Sequence, residues 1–295
     1  SSHDMTTHRK ITFLDLLILA GLLCLAGIIG YRLSVELQYT WNWAVIPQYI
    51  LRIDAQGNPH LGLLTLGFLT TIKLSFLATI SALIIGTGVG LLRSSRRLFR
   101  KLIGTTYVGT VRNIPPLILV FIFYFFVSEQ VIPALGLEEL IRNQSEPVQH
   151  AIGILLAPPG RISSFLAAVV SLALYEGAYI AEIVRAGIQS IDRGQWESAA
   201  ALGLTRRQQL RKVILPQAFQ RIIPPLAGQF ISTIKDSAIV SIISIQELTF
   251  QGMELMAATY RTFEVWITIT LMYFVLTFTC SMLTSRLEVR LLKKY

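Results

Sequence analysis

The sequence has little charge: Asp, Glu, Lys and Arg make up 15% of its 295 residues, against about a quarter in a typical soluble domain. Its only two cysteines, Cys24 and Cys280, lie in apolar runs, which excludes a disulfide framework or a cysteine metal site. His60 and His150 stand alone, and no Walker lysine follows the glycines at 86–90. With no nucleotide site and no visible catalytic constellation, the sequence argues against an enzyme.

Long apolar runs dominate the chain instead: 53% of its residues are hydrophobic, in blocks of about 20. A helix of that length crosses the roughly 30 Å hydrocarbon core of a bilayer. The pattern predicts an all-α membrane protein with about six transmembrane helices, at about 12–32, 62–92, 104–128, 162–188, 216–245 and 263–285. We interpret the first run as a retained helix and the residues before Met5 as a tag remnant.

Basic residues are distributed unequally between the two sides of the predicted spans. Seventeen lysines and arginines fall on one side and five on the other. Because cytoplasmic loops carry the excess of Lys and Arg, both termini and the polar stretch 194–217 are predicted to be cytoplasmic. We expect three parts: 1–61, with the tag remnant, an extra N-terminal helix and an outer loop; 62–285, the transmembrane domain; and 286–295, a cytoplasmic tail.

Several ionisable residues fall inside the predicted spans, where an unpaired charge costs at least ~2.5–3.5 kcal/mol. Snorkelling or pairing between helices explains those near the cytoplasmic ends, which are Arg112, Glu182, Arg185 and Arg221; Lys73 lies in the second span. Glu176 and the Lys235-Asp236 pair lie at membrane depth, among small and hydroxylated neighbours. Two explanations stay open for them: a structural ion pair with Lys235 or Arg112, or a cavity that binds a substrate.

Two proline pairs also fall in predicted spans, each in the pattern R-x-I-P-P-L, at 112–117 and 221–226. Proline removes a backbone donor, so an interrupted span is tolerated only where protein or a cavity satisfies the freed carbonyls. Transporters use such helices and often carry internal repeats, so the short repeat gives weak support to that class. Gly86, Gly88 and Gly90 lie inside a span and predict close helix packing rather than a phosphate site.

The polar stretch between the fourth and fifth predicted spans carries a specific motif. Its parts are Glu197-Ser198-Ala199, Gly203 after three residues, and Val213-Ile214-Leu215-Pro216 after nine more. This closely resembles the E-A-A-x3-G-x9-I-x-L-P signature of ATP-binding-cassette importer permeases, with serine for one alanine and valine for one isoleucine. Longer blocks, such as TIKLSFLATISALIIGTGVGLLR and VRNIPPLILVFIFYF, resemble the amino-acid permeases of the histidine, glutamine and arginine type. The resemblance covers about 62–285.

The resemblance implies a type I importer core of five helices, preceded here by one N-terminal helix, with a cytoplasmic coupling helix at about 194–204. In that family two permease subunits form a pathway, each docks a separate ATPase, and an extracytoplasmic substrate-binding protein delivers the ligand. No cofactor is implied for this chain, since ATP and magnesium belong to the ATPase. The residues implied to couple to the ATPase are Trp196, Glu197, Ser198, Ala199, Gly203, Leu204 and Pro216.

Individual positions of the coupling segment have specific expected roles. Trp196 and Leu202 are expected to give the helix an apolar face, and Pro216 to begin the next span. Gly203 is expected to allow a sharp turn and a close backbone approach that a side chain would block. Glu197 is expected to cap the amino end of the helix or to accept from nearby backbone.

The implied ligand is an amino acid, polar or neutral. Carboxylates suit its ammonium group and Arg112 or Lys235 suits its carboxylate, so together they fit a zwitterion. The predicted substrate-binding residues are Arg112, Asn113, Glu176, Tyr179, Lys235, Asp236 and Ser237. The chain departs from the family pattern at Ile114, Leu119 and Gly228, where threonine, glutamine and asparagine are expected. These changes favour neutral or hydrophobic amino acids, or a ligand held by the partner permease.

The partner permease is either identical or related, and a heterodimer in a bacterial inner (plasma) membrane is favoured. A different class stays open: a gradient-driven carrier or channel that uses Glu176 and Asp236 as ion sites and needs no ATPase. A multi-pass membrane enzyme is disfavoured because no catalytic constellation is visible. No metal site and no nucleic-acid partner are expected.

Overall fold

The computed structural model describes residues 13–36, 39–95 and 97–292. The chain divides into two compact units, Ser1–Trp43 and Ala44–Tyr295. The tag remnant and the last three residues of the predicted tail lie outside the described residues. The division of the chain at residues 61 and 285 stays a prediction.

The described part of the first unit is mostly one helix, α1, Phe13–Glu36. Its residues up to Arg32 are exposed on every side of the helix. Aromatic residues follow it: the rings of Trp41 and Trp43 stack with centroids 5.9 Å apart, and Tyr39 meets Trp41 edge-on at 5.1 Å. An apolar helix that ends in aromatic side chains is typical of a span that leaves the bilayer at an interface.

The second unit begins with three short elements: helix α2 (Pro47–Ile50) and the antiparallel strands β1 (Leu51–Ile53) and β2 (Pro59–Leu61). The Asp54 carboxylate closes the hairpin turn, because it accepts from the backbone N–H groups of Gln56 and Asn58 at 2.9 and 2.8 Å. Its hydrogen bond with His60, more than those with Asn58, lowers the pKa of Asp54. Part of the predicted outer loop is therefore an ordered hairpin.

The described chain after the hairpin is predominantly helical. The helices are α3 (Leu63–Arg93), α4 (Leu98–Asn113), α5 (Pro116–Phe126), α6 (Ile132–Ala134), α7 (Leu137–Arg142), α8 (Glu146–Leu155), α9 (Ile162–Gln189), α10 (Arg193–Ala201), α11 (Arg206–Gln208), α12 (Leu215–Asp236), α13 (Leu248–Thr259) and α14 (Thr262–Leu292). π-helical turns at Val127–Val131 and Gln209–Ile214 and 3-10 turns at Pro159–Arg161 and Ser237–Ile243 join some of them. α7 and α8 therefore lie between the third and fourth predicted spans, and α13 lies between the fifth and sixth.

Six helical segments of the described residues are long and apolar enough to cross a bilayer: Phe13–Arg32, Leu63–Arg93, Pro116–Ala134, Pro159–Gln189, Arg206–Ile243 and Thr262–Arg286. This confirms the predicted all-α membrane class and the number of spans. The fourth is the most buried, with 72% of its most apolar stretch inside the protein. Since that segment is essentially α9, this helix forms the centre of the second unit.

Glycines bring α3 and α9 close together. A Cβ atom on Gly86 would lie 2.6 Å from the Cβ of Ile180, and one on Gly90 would lie 2.7 Å from the Cβ of Val184. Because real side chains do not tolerate such contacts, only glycine lets the two helices approach this far. The predicted close packing is confirmed at these two positions, whereas Gly88 has no neighbour within 4 Å in the described chain.

The third span starts later than predicted, so the prediction of a span over 104–128 is wrong. α4 ends at Asn113 and the apolar segment that can cross runs over Pro116–Ala134. Ile114 is extended, with φ −102° and ψ 141°, because a residue that precedes proline is disfavoured in the α region. The Pro115-Pro116 pair therefore separates two helices rather than bending one.

The second proline pair behaves differently. Pro224 and Pro225 lie inside α12, which continues to Asp236, so the prediction that both pairs interrupt spans is wrong for this one. The two copies of R-x-I-P-P-L thus adopt different structures. The hexapeptide does not mark a structural repeat.

A buried carboxylate anchors α13. Glu247 accepts hydrogen bonds from the Phe250 N–H and the Tyr273 hydroxyl, both at 2.8 Å, and from the Thr71 hydroxyl at 3.3 Å. These donors lie on α13, α14 and α3, so one side chain joins three helices. Burial raises the pKa of Glu247 above its usual value, against the opposing effect of these hydrogen bonds.

Candidate functional site

The motif of the polar stretch forms the predicted short helix. α10 spans Arg193–Ala201, against the predicted 194–204. Asp192 caps it, because its carboxylate accepts from the Gly194 N–H at 2.6 Å. Glu197 is exposed in the middle of the helix, so the prediction that it caps the amino end is wrong. The sequence signal for the actual cap was Asp192, the acidic residue directly before the helix.

One face of α10 packs onto the rest of the protein. Ala199 is buried, and Trp196 packs against the apolar cluster around Ile214. The guanidinium carbon of Arg206 lies 3.4 Å from the centre of the Trp196 ring, a cation–π contact that fixes the indole. Leu202 is 79% exposed, so the predicted apolar face is right for Trp196 and wrong for Leu202.

Gly203 ends the segment with a turn that requires glycine. Its φ is +75°, its N–H donates to the Ala200 carbonyl at 2.9 Å, and the Leu204 N–H donates to the Ala199 carbonyl at 3.2 Å. These are the bonds that close a helix C-terminus, and the predicted sharp turn is confirmed. No described atom would meet a Cβ at Gly203 within 4 Å, so the predicted close approach does not occur within this chain.

α10 is joined to the start of α12. Pro216 lies in the first turn of α12, as predicted. The side-chain amide of Gln217 donates to the Oε1 atom of Gln195 on α10 at 3.1 Å. The Arg221 guanidinium donates to the backbone carbonyl of Ser190, between α9 and α10. Through these contacts, α10 is held against the first two turns of α12.

A buried carboxyl group lies where α9 faces α12. Glu176 is fully buried and its Oε2 atom accepts from the Gln229 side-chain amide at 2.6 Å. Its Oε1 atom has no donor among the described residues, and the neighbouring Asp236 carboxyl interacts with it. No Lys or Arg of the described chain forms a salt bridge with Glu176, which argues against the structural ion pair, one of the two explanations left open for this residue. The Oε1 atom of Glu176 is therefore open to a further hydrogen-bond donor or a cation.

Arg112 and Asn113 line a separate cavity of about 400 Å³ at the end of α4, together with Arg93 and Glu182. The Arg112 guanidinium carbon lies 5.3 Å from the centre of the Tyr179 ring. Glu182 forms an ion pair with Arg93 of α3, which confirms the predicted pairing between helices for this residue. Arg185 pairs with Glu182 within α9 itself. Arg112 has no carboxylate partner in the described chain, so its charge faces an open cavity.

The seven predicted substrate residues therefore fall into two groups, with two members apart. The groups are Glu176 with Asp236, and Arg112 and Asn113 with Tyr179. Lys235 is exposed, and the buried Ser237 hydroxyl donates to the Ile234 carbonyl of its own helix at 2.7 Å. Tyr179 lies one turn after Glu176 on α9, and its hydroxyl accepts from the Tyr175 hydroxyl at 3.2 Å. The group with Arg112 and the group with Glu176 are therefore neighbours along α9. Leu119, a departure from the family pattern, is buried.

Gln229 is the residue that sequence reasoning missed. As an uncharged amide, it does not stand out in a search for costly charges within spans. Its spacing of seven residues from Asp236 places both on one face of a helix, and that spacing was the available signal. Across the described ranges, no three His, Cys, Asp or Glu side chains are placed to share a metal ion.

Comparisons with known proteins agree with this architecture. Residues 79–293 match the family model described as "Binding-protein-dependent transport system inner membrane component". The probable glutamine ABC transporter permease protein GlnM of Bacillus subtilis (strain 168) is 35% identical over 231 residues, which covers 78% of this chain and 93% of that protein. The glutamate/aspartate import permease protein GltJ of Escherichia coli (strain K12) is 32% identical over 233 residues, or 79% and 87%.

Solved structures give the same picture. A chain from the crystal structure of an amino acid ABC transporter with histidines superimposes with a TM-score of 0.64 at 33% identity, covering 85% of this chain and 100% of its own. A chain of the inward-facing MetNI methionine ABC transporter superimposes with a TM-score of 0.59 at 21% identity, covering 77% and 95%. The second likeness concerns the fold alone.

Proposed function

Because the chain belongs to the family of binding-protein-dependent transport system inner membrane components, we propose that it is the permease subunit of an ATP-driven amino-acid importer. It is a multi-pass protein of the inner membrane. In this proposal it forms half of a translocation pathway and receives its motion from a separate ATPase. The excess of basic residues on one side supports a cytoplasmic location for both termini and for α10.

The observation that carries the proposal is the two-sided environment of α10. Its inner side is fixed by Trp196 and Ala199, while Glu197, Leu202 and Gly203 are exposed. The open space over Gly203 on this side leaves room for another protein to contact the motif that α10 carries. The contacts with α12 then provide a path by which that protein moves a span. ATP and magnesium would bind to the ATPase, and we assign no cofactor to this chain.

Two further partners complete the proposed assembly. A second permease subunit supplies the other half of the pathway, and we favour a related rather than an identical one. An extracytoplasmic binding protein would dock at the end of the spans opposite α10. The relatives named above are described as permeases for glutamine and for glutamate and aspartate, which supports a polar amino acid as the cargo.

The two side-chain groups along α9 suit the two ends of an amino acid. An ammonium group would supply the hydrogen-bond donor that the Oε1 atom of Glu176 lacks. The unpaired Arg112 guanidinium, with the neighbouring Asn113, suits a carboxylate. Apolar Ile114 beside them and the glycine at 228 reduce the polar contacts available, which favours a neutral or amide side chain in this subunit's share of the site.

Co-expression tests the assignment as a permease. The chain is expressed with the ATPase, binding protein and second permease whose genes adjoin its own, and is purified through a tag on the permease. We expect the ATPase to co-purify and its hydrolysis in proteoliposomes to increase with liganded binding protein. Uptake that proceeds without ATP and collapses with the proton gradient would instead establish a gradient-driven carrier and refute the proposal.

A matched pair of isosteric substitutions tests the ligand site. Glu176→Gln replaces the buried carboxyl group with an amide of the same shape, whereas Glu254→Gln makes the same change at an exposed position on α13. Loss of a charge-assisted hydrogen bond of about 1.5–3 kcal/mol predicts an apparent affinity for amino acid roughly 10- to 150-fold weaker for Glu176→Gln. We expect no change for Glu254→Gln. An unchanged Glu176→Gln response would move the ammonium site to the partner permease.

A further inference from the structure

A second cavity, of about 530 Å³, lies at the other end of the helices from α10. It is bounded by the first turns of α3, by the start of α9 and by the connection between α12 and α13. α9 ends at Gln189, just before α10 begins at Arg193, and Arg93, the last residue of α3, pairs with Glu182 near that end of α9. The cavity, at the first turns of both helices, therefore opens at the opposite face of the membrane. It shares no lining residue with the cavity at Arg112.

Two cations and no acid line this cavity. Lys73 lies ten residues after the first residue of α3, or about 15 Å along the helix at 1.5 Å per residue. No carboxylate of the described chain pairs with it. Arg161 stands just before α9, and its guanidinium donates to the side-chain oxygen of Gln246. A lysine without a counterion at membrane depth is costly, so the cavity favours an anion.

A buried acceptor belongs to one of the residues in the wall of this cavity. Gln251 lines the cavity and is only 3% exposed. Its Oε1 atom is buried and has no donor among the described residues. An unsatisfied buried acceptor costs about 1–3 kcal/mol. An occupant with a hydroxyl or ammonium donor would remove that cost once the Gln251 amide turns toward the cavity.

The open side of the cavity is apolar. Leu66 and Leu69 line it and are 45% and 38% exposed. They continue along one face of α3 into Ile72 and Phe76, which are 36% and 56% exposed. The spacing of three to four residues makes this face a continuous apolar stripe. A free amino acid or phosphate has no part that matches such a stripe, whereas an acyl chain does.

We propose that this cavity binds a membrane phospholipid. Its phosphodiester lies between Lys73 and Arg161, and a hydroxyl or ammonium of its head group donates to Gln251. One acyl chain follows the exposed stripe of α3. Three observations carry this proposal. One cavity has a lysine without a counterion, a wall residue with an acceptor that lacks a donor, and an apolar stripe along its open side. The proposed site is independent of the cargo.

Native mass spectrometry of the full-length chain tests the proposal, with dioleoylphosphatidylglycerol added to the delipidated protein. One cationic contact near a membrane surface is worth about 1 kcal/mol, so Arg161→Met should weaken binding about fivefold, and Lys73→Met, which lies deeper, should weaken it by at least that factor. Lys73→Arg should preserve it. Arg142→Met, which removes an exposed cation in α7 on the same side, should leave it unchanged. Dioleoylphosphatidylcholine, whose head group lacks a donor for Gln251, should bind more weakly.

Three results would overturn the proposal. Lys73→Met could bind phosphatidylglycerol as tightly as the unchanged chain, with melting temperatures equal. Glycerol 3-phosphate, which has the same phosphate but no acyl chain, could displace the lipid at equal concentration and so identify a soluble phosphate as the ligand. Equal loss of binding in Arg142→Met would show a nonspecific effect of net charge.

Discussion

Substitutions at Gly203 can distinguish two effects: strain in the backbone that ends α10, and loss of contact between α10 and another protein. The φ of +75° at Gly203 places it in the left-handed region, where residues with a Cβ other than asparagine and aspartate cost roughly 1–2 kcal/mol. No described atom lies within 4 Å of a Cβ at this position. Alanine and tryptophan should therefore lower the free energy of unfolding of the isolated permease by the same amount, because neither meets a neighbour in this chain.

The two substitutions should differ once an ATPase is present. In proteoliposomes with the complete importer, Gly203→Trp places an indole on the surface next to Leu202 and should reduce ligand-stimulated ATP hydrolysis at least tenfold, an energy of about 1.4 kcal/mol. Gly203→Ala should retain most of the stimulation. Gly203→Asn, which tolerates the left-handed conformation, should match the unchanged chain in both assays. Equal stimulation in the tryptophan and alanine variants would refute docking at this surface.

Two further predictions concern the fold. Gly187→Ala places a Cβ 2.2 Å from the Cγ1 of Ile222 and should cost about 1–3 kcal/mol by overpacking; Ile222→Ala in the same chain should recover part of the lost melting temperature, and an added loss would contradict the clash. Because burial raises the pKa of Glu247 from its ordinary 4.5, the folded protein retains a proton there over a pH range in which the unfolded chain has lost it. Its contribution to stability is complete below about pH 4.5 and is lost as pH rises through that range. Glu247→Gln should flatten this part of the melting-temperature profile, and an unchanged slope would contradict the assignment.

The spans were predictable because length and hydropathy alone decide whether a helix can cross a bilayer. Their exact limits were less so. At Pro115-Pro116 the residue before the first proline is extended, which ends α4. In α12 the second proline pair, Pro224-Pro225, remains within the helix. The hexapeptide is identical in pattern, so packing in the surrounding structure decides the outcome. In α12, Ile222 within that pattern inserts against Gly187, a contact between distant residues that no local pattern contains.

The candidate site divides in the same way. The motif predicted a short helix, a turn at Gly203 and a new helix at Pro216, since these depend on backbone chemistry within a few residues. It did not predict the cap, because both Asp192 and Glu197 carry a suitable acceptor and only the exact start of the helix distinguishes them. The partner of Glu176 was also missed: Gln229 lies 53 residues away, and its position depends on how α12 packs on α9.

The contacts between α9 and α12 show where motion at α10 would reach the buried carboxyl group. At the α10 end, the Ile222 side chain fills the space over Gly187, so the two helices are packed most tightly there. Gln229 lies 13 residues after Pro216, or roughly 20 Å further along α12. A tilt of α12 about the tight contact would move Gln229 more than it moves Ile222. Since the hydrogen bond from Gln229 satisfies one oxygen of Glu176, such a tilt would expose a second unsatisfied oxygen, and the affinity of this carboxyl for an ammonium group would change with the position of α10.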